Sequence, residues 1–173
     1  MKSWLPKILL CLSTLLCVSL FGCAATSTTV TDEEAVTNQK PMSTYKSLII
    51  RNFELKRELY ADVTDTRMSE RERRYTQIPV QLSEQIQRHV KSRHIYQTVA
   101  REGSPSGTTL ILKGKFNRMG RFRISIEAVL IDGASEQEVA YFRQTLWDVF
   151  DTTEAVGRLG LEIAGFIDRI QYK

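Results

Sequence analysis

Two hydrophobic periodicities alternate along residues 45–173 and predict an α+β domain. The run Leu48-Ile49-Ile50 indicates a buried strand. The four-residue spacing of Leu82, Ile86 and Val90 indicates a half-buried helix. That helix is expected to begin near Pro79, because the first turn of a helix does not need the amide hydrogen that proline lacks. The polar stretch 54–76 before it is predicted to be a long loop.

The rest of the domain reads as four more strands and a second helix. Alternation of apolar and polar residues is clearest over 122–130, and turn residues at 117–120 and 132–135 separate it from its neighbours. Asp151 and Glu154 have the spacing of a capping box at the start of the last helix. The further strands are predicted over 95–100, 110–116 and 139–147.

The predicted order is therefore strand, helix, strand, a three-strand meander and a helix. A right-handed crossover makes the first two strands parallel, whereas the meander is antiparallel. The economical arrangement is a mixed five-stranded sheet with two helices packed on one face. Small residues within the last helix indicate close packing of that helix on the sheet; these are Gly157, Gly160, Ala164 and Gly165.

Residues 1–22 have the organisation of an export signal. Lys2 and Lys7 precede an apolar run from Ile8 to Phe21, which is shorter than the roughly 20 residues of a membrane-spanning helix. The sequence Leu20-Phe21-Gly22-Cys23 resembles the lipobox of bacterial lipoproteins. The alternatives are an uncleaved membrane anchor and a soluble secreted product.

The lipobox resemblance implies that the signal is removed before Cys23. It also implies that the Cys23 thiol receives a diacylglyceryl group and that the new amine is acylated with a chain such as palmitate. Ala24, in place of aspartate, implies the periplasmic face of the outer membrane. Residues 23–44 are then the lipidated cysteine and a flexible Ser/Thr-rich tether, and 45–173 are a single periplasmic domain.

The cysteine positions agree with lipidation. Cys11 and Cys17 lie in the leader, so the mature chain retains Cys23 alone. A single cysteine cannot form an internal disulfide, and an unmodified thiol is a hazard in an oxidising compartment. Conversion of the Cys23 thiol to a thioether explains why the cysteine needs no disulfide partner and removes the reactive thiol.

Net charge argues against a nucleic-acid partner. The formal charge is +4, and two of the basic residues are in the leader. The near-neutral remainder lacks the clustered basic face that binding to phosphate backbones requires.

The sequence contains no recognisable catalytic or metal-binding constellation. His89 and His94, the two histidines, are too far apart in sequence to share one helix face. No G-x-S-x-G nucleophile motif occurs. We therefore predict no catalytic residues, no metal, no cofactor and no enzymatic activity.

Two kinds of surface are candidates for partner binding. Tyr141 and Trp147 lie on the strand face opposite Phe142 and Leu146, and this face is exposed if both helices cover the other one. The alternative is that the loop 54–76 covers it. Basic clusters in that loop and in a predicted turn either contact a partner and anionic headgroups or are simply solvated. The candidate surface comprises Tyr141, Trp147, Arg71, Arg73, Arg74, Arg118 and Arg121.

The strand segments 45–50, 110–116 and 129–140 match a known pattern. The chain resembles a group of Gram-negative periplasmic lipoproteins with a small α/β domain. That group is similar in architecture to the curli-export, Pel polysaccharide-export and penicillin-binding-protein-activator lipoproteins. Their better-known members form rings, dock on partners or activate them and are not enzymes.

The resemblance implies a non-enzymatic outer-membrane module for interaction or assembly in an envelope or export system. Its partner is expected to be another envelope protein or a second copy of the chain. The alternatives are a small-ligand or lipid-binding accessory of a transport system and, less favoured, a periplasmic hydrolase.

Overall fold

Six strands and two helices form the described structure. The computed structural model describes residues 29–37, 40–61, 67–120 and 122–172. The strands are β1 (Thr29–Val36), β2 (Ser47–Ile50), β3 (Thr98–Ala100), β4 (Thr109–Met119), β5 (Arg123–Asp132) and β6 (Glu138–Trp147). The helices are α1 (Glu70–Ser92) and α2 (Thr152–Ile170), and short 3-10 turns occur at Met42–Thr44 and Arg57–Leu59.

The strands form one mixed sheet in the order β1-β6-β5-β4-β2-β3. β2 is parallel to β3 and β4, and the remaining neighbours are antiparallel. The α+β class and the mixed sheet with two helices are confirmed. The sheet has six strands, not five, because the chain before residue 45 contributes a strand.

The prediction of a flexible tether is wrong for Thr29–Val36, which is the edge strand β1 paired with β6. This segment has too little apolar surface to fold alone. An edge strand, however, needs only backbone pairing on one side, and its carboxylates find partners: Asp32 accepts a hydrogen bond from Thr145, and Glu34 pairs with Arg169 of α2. Residues 1–28, including the predicted signal and Cys23, lie outside the described residues.

Helix α1 begins at Glu70 and contains Pro79 in its interior, so the expected start at Pro79 is wrong. A capping box fixes the true start. The Glu72 amide donates to the Ser69 hydroxyl at 3.2 Å, and the Ser69 amide donates to the Glu72 carboxylate at 2.6 Å. The predicted loop 54–76 is shortened as a result. Arg71, Arg73 and Arg74 belong to the first turns of the helix.

Both helices pack on one face of the sheet and on each other. Alternate residues of the central strands, such as Ile126 and Phe142, are fully buried beneath them. The interpretation of close helix-to-sheet packing is wrong for Gly160. A Cβ added there would lie 2.6 Å from the Cβ of Gln85 in α1, so this glycine permits close helix-to-helix contact. Within the described ranges, no helix is both long enough and apolar enough to cross a bilayer.

Candidate docking surface

The second face of the sheet is not covered by either helix, and we call it the open face. Strand register groups its side chains into rows that run across the sheet. The first row is Lys113, Val129, Tyr141 and Ala35, the second is Lys115, Glu127, Arg143 and Glu33, and the third is Arg118, Ser125, Thr145 and Val30. Arg123 faces Trp147 at the end of β6. The loop after β3 approaches Ile49 at the β2–β3 edge of this face.

The second row alternates in charge. Lys115 forms an ion pair with Glu127 at 3.3 Å, and Arg143 lies between Glu127 and Glu33 in register. Opposite charges on neighbouring strands stabilise the pairing modestly. Burial raises the pKa of the Tyr141 phenol in the adjacent row, and the Glu127 carboxylate adds to the rise. The row of Val129, Tyr141 and Ala35, with Lys113 at its end, therefore lies beside a row with both signs of charge.

The structure places Tyr141 and Trp147 on the predicted face but not in one patch. Tyr141 is half-buried in the centre, whereas Trp147 is 43% exposed at the end of β6. The six-residue separation along a strand corresponds to about 20 Å. The Arg123 guanidinium lies over the Trp147 ring, 4.4 Å from its centroid. The described part of the segment after β2 pairs with β4 through Glu54 and does not cover Trp147.

A polar cavity of about 410 Å³ opens on the open face beside Trp147. Its lining consists of Asp32, Asn117, Arg118, Arg123, Ser125 and Arg143. The strand irregularity between Phe116 and Arg118 in β4 returns Arg118 to the open face. Of the cavity residues, sequence reasoning selected only Arg118. Arg123 and Ser125 were recognisable as polar positions of an alternating strand, but their convergence depends on register.

The arginines of α1 lie elsewhere. Arg73 and Arg74 are exposed on the helical side of the molecule, so the structure does not bring them together with Tyr141 and Trp147. Arg74 lines a second groove, of about 700 Å³, between α1 and the segment 149–153, where Phe150 is 68% exposed. The Arg71 side chain and the whole of Arg121 lie outside the described residues.

A buried carboxylate that sequence reasoning missed connects the N-terminal segment to the β5–β6 turn. Asp132 accepts hydrogen bonds from the Tyr45 hydroxyl and the Ala134 amide, each at 2.8 Å, and from the Ser135 amide at 3.0 Å. The Lys40 ammonium lies 2.5 Å away. Burial opposes ionisation of Asp132, but the hydrogen bonds, that from Lys40 foremost, outweigh it and hold the pKa well below its usual range.

The Asp132 cluster is structural, and both its carboxylate and the Tyr45 phenol are buried. Burial and the hydrogen bond to Asp132 raise the pKa of Tyr45 far above its usual range, so this phenol stays protonated. The sequence signal was Asp132-Gly133, which marked the turn but not the role of the carboxylate within it.

The two histidines do not form a site. His89 is half-buried near the end of α1, and His94 is exposed with a φ of 54°. Burial lowers the pKa of His89, with help from Arg93 and Arg88. Within the described ranges, no group of three or more His, Cys, Asp or Glu side chains is arranged to hold a metal ion.

Comparison with solved structures reveals the same fold elsewhere. A point variant of the PelC dodecamer from Paraburkholderia phytofirmans has a TM-score of 0.52 at 9% identity, covering 82% of this chain and 97% of that chain. A second crystal form of the PelC dodecamer gives 0.51 at 8% identity with the same coverages. Protein XCC0632 from Xanthomonas campestris, of the DUF330 family, gives 0.50 at 13% identity, covering 76% and 88%.

No family model matches the chain, and no curated protein matches it. At identities this low, the likeness to the solved structures establishes a shared fold and nothing further. The chain is therefore similar in architecture to PelC and to a DUF330 protein.

Proposed function

We propose that this protein is a lipid-anchored, non-enzymatic assembly module of the bacterial cell envelope that works as a homo-oligomer. Residues 1–22 act as the export signal, and acyl chains on Cys23 hold the domain at the periplasmic face of the outer membrane. The lipobox-like sequence and the lone mature cysteine support the anchor. Three acyl chains exceed the two membrane signals that stable anchoring requires.

The observation that carries the proposal is the open face of the sheet. It presents the apolar side chains of Val129, Tyr141 and Ala35 beside a row of alternating charge, and no helix of the described structure covers it. Surfaces that combine apolar and complementary charged groups are suited to specific protein contact.

The occupant we assign to the part of the open face around Tyr141, away from the cavity beside Trp147, is a second copy of this chain. The adjacent charged row contains both signs, Lys115 against Glu127 and Glu33, so two copies offer each other complementary groups. The shared fold with the PelC dodecamers supports the same choice.

Substitution of Tyr141 tests the assembly surface. Tyr141→Ser removes the half-buried ring at the centre of the open face, and we expect it to reduce the mass in solution measured by light scattering. The matched control is Tyr172→Ser, at a side chain that is 87% exposed near the C-terminus. A wild-type protein that stays at the mass of a single chain contradicts self-association. An equal mass in solution for Tyr141→Ser and Tyr172→Ser contradicts the assignment of the assembly surface to Tyr141.

The anchor is tested separately by intact-mass measurement of the protein isolated from cell envelopes. We expect a chain that begins at Cys23 and carries the added mass of acyl groups. A chain that begins at Met1, or one with a free thiol at Cys23, contradicts the anchor. Cys23→Ser is expected to release the domain from the membrane fraction.

The alternative functions find less support in the described residues. A small-ligand or lipid-binding accessory of a transport system needs an apolar cavity between the sheet and the helices. Buried side chains such as Leu130, Phe142 and Ile163 fill that layer. The hydrolase required a nucleophile hydrogen-bonded to a histidine. In the described part of the chain, the Ser92 hydroxyl donates to the backbone carbonyl of His89 and not to its imidazole.

A further inference from the structure

The end of the sheet where β1 begins is the end closest to Cys23 along the chain. Thr29, the first residue of β1, pairs with Leu146 near the end of β6. Only the segment 24–28 separates it from Cys23, and this segment spans about 20 Å when fully extended. If Cys23 is acylated as proposed above, this end of the sheet lies within that distance of the bilayer surface.

The polar cavity beside Trp147 lies at this same end. Two of its lining residues are Asp32 and the small Ser125. The buried Thr145 hydroxyl donates to Asp32 and lies 3.2 Å from the Ser125 hydroxyl. Long side chains from three neighbouring strands form its walls, namely Arg118 from β4, Arg123 from β5 and Arg143 from β6. The small Ser125 flanked by three arginines leaves a cavity of about 410 Å³.

The cavity carries an excess of positive charge. Three arginines against the single carboxylate of Asp32 leave a net charge of +2 on the lining. Among the described residues, none of these three guanidinium groups forms an ion pair. The neighbouring Glu127 is already engaged, because it pairs with Lys115 at 3.3 Å and accepts from Asn117 at 3.1 Å.

The three arginines supply the binding chemistry of the cavity. Guanidinium groups match the geometry of phosphate oxygens, with which they form paired, charge-assisted hydrogen bonds.

Aromatic side chains surround this end of the sheet. Phe122 is 61% exposed, Trp147 43% and Phe150 68%. Exposed aromatic rings beside arginines are typical of surfaces that lie in the interfacial region of a bilayer. Acidic groups are present too: Asp151 is engaged in capping α2, while Asp148 is exposed.

We propose that this cavity binds the phosphate of an anionic phospholipid headgroup in the membrane that holds Cys23. The arginines bind the phosphate, and the exposed rings rest among the headgroups beside it. The domain is thereby oriented on the bilayer, with the end of the sheet that carries Trp147 facing the membrane. The orientation depends on the proposed anchor, whereas the phosphate site does not.

Vesicle binding by the chain without residues 1–23 tests the site without any acyl group. The described residues share one core, so this chain is the folded unit. We expect it to co-sediment with vesicles of phosphatidylcholine and phosphatidylglycerol, and not with phosphatidylcholine alone. Each arginine near an anionic surface contributes about fivefold to binding. The double variant Arg118→Gln, Arg123→Gln is therefore expected to bind about 25-fold more weakly.

The matched control is the double variant Arg73→Gln, Arg88→Gln, which removes the same charge from exposed positions on α1. Equal weakening by the two double variants overturns the site, because general electrostatic attraction then explains the binding. If the Arg123 substitution prevents folding, as judged by circular dichroism, Arg118→Gln alone serves, with an expected loss of about fivefold. A loss in that variant no larger than in Arg73→Gln overturns the proposal.

Titration with inorganic phosphate distinguishes a lipid from a soluble source. Amide shifts around Ser125 that appear with inorganic phosphate, together with vesicle binding, support the proposal. Phosphate binding without vesicle binding overturns the lipid assignment. The tested chain lacks Cys23, so loss of phosphate or vesicle binding does not affect the intact-mass test of the anchor. An intact mass without acyl groups likewise does not affect the interpretation of the binding experiments.

Discussion

Gly157 and Gly160 lie in the same helix, α2, in very different surroundings. A Cβ added at Gly157 meets no atom within 4 Å. One added at Gly160 lies 2.6 Å from the Cβ of Gln85 and 3.3 Å from the backbone nitrogen of Ile86. Replacing glycine by alanine inside a helix stabilises it by about 1 kcal/mol, because less backbone entropy is lost on folding. We therefore expect Gly157→Ala to raise the free energy of unfolding by about 1 kcal/mol.

Gly160→Ala gains the same helix propensity but forces α1 and α2 apart. The 2.6 Å contact is about 1 Å shorter than an ordinary carbon–carbon contact. Overpacking costs about 1–3 kcal/mol, and the upper end applies here because backbone and Cβ atoms cannot rotate away. After the gain in propensity, we expect the free energy of unfolding to fall by about 2 kcal/mol.

Urea unfolding of the purified protein measures both variants, and each serves as the control for the other. The expected difference in the free energy of unfolding between the two variants is about 3 kcal/mol, with an unchanged dependence of that free energy on urea concentration. It corresponds to about 6–12 °C in Tm. If Gly160→Ala stabilises the protein as much as Gly157→Ala does, the two helices do not approach through Gly160 and the packing described here is wrong.

Two further predictions concern polar groups that the fold engages. Asp132→Asn is expected to lower the free energy of unfolding by about 3 kcal/mol at neutral pH, because the buried carboxylate accepts charge-assisted hydrogen bonds. Asp168→Asn, at an exposed ion pair, is expected to lower it by no more than about 1 kcal/mol in the same urea titration. Since the folded-state pKa of Asp132 is lowered, its contribution is complete above the unfolded value of about 3.9 and is lost as the pH falls below it. A difference between wild type and Asp132→Asn that stays constant into acid contradicts this reasoning. Ser69→Ala removes the capping box of α1 and is expected to lower the free energy of unfolding by about 1 kcal/mol, whereas Ser104→Ala, in an exposed loop, leaves it unchanged.

Local signals in the sequence predicted an element correctly where residues within the element itself determine its conformation. The alternation over 122–130 predicted β5, and the cap at Asp151 predicted the start of α2 at Thr152. The start of α1 was missed although its signal was present, because Ser69 and Glu72 have the capping-box spacing that precedes an amphipathic helix. Pro79 was the misleading residue, because it lies in the interior of α1 and not in its first turn.

Long-range contacts decided what the local pattern did not. Thr29–Val36 reads as a tether because its own side chains bury little, and it becomes a strand only because the free edge of β6 is available to it. The arginine cavity likewise depends on strand register and on the irregularity in β4, which places Arg118 beside Arg123 and Arg143.

The amino-acid sequence by itself determined the α+β class, the two helices and the face on which Tyr141 and Trp147 lie, because hydrophobic periodicity records which side of each element is buried. Only the tertiary structure decided the sixth strand, the contact of Gly160 with α1 and the convergence of three arginines. Each of these depends on the distance between residues far apart in the chain, and no local pattern encodes that distance.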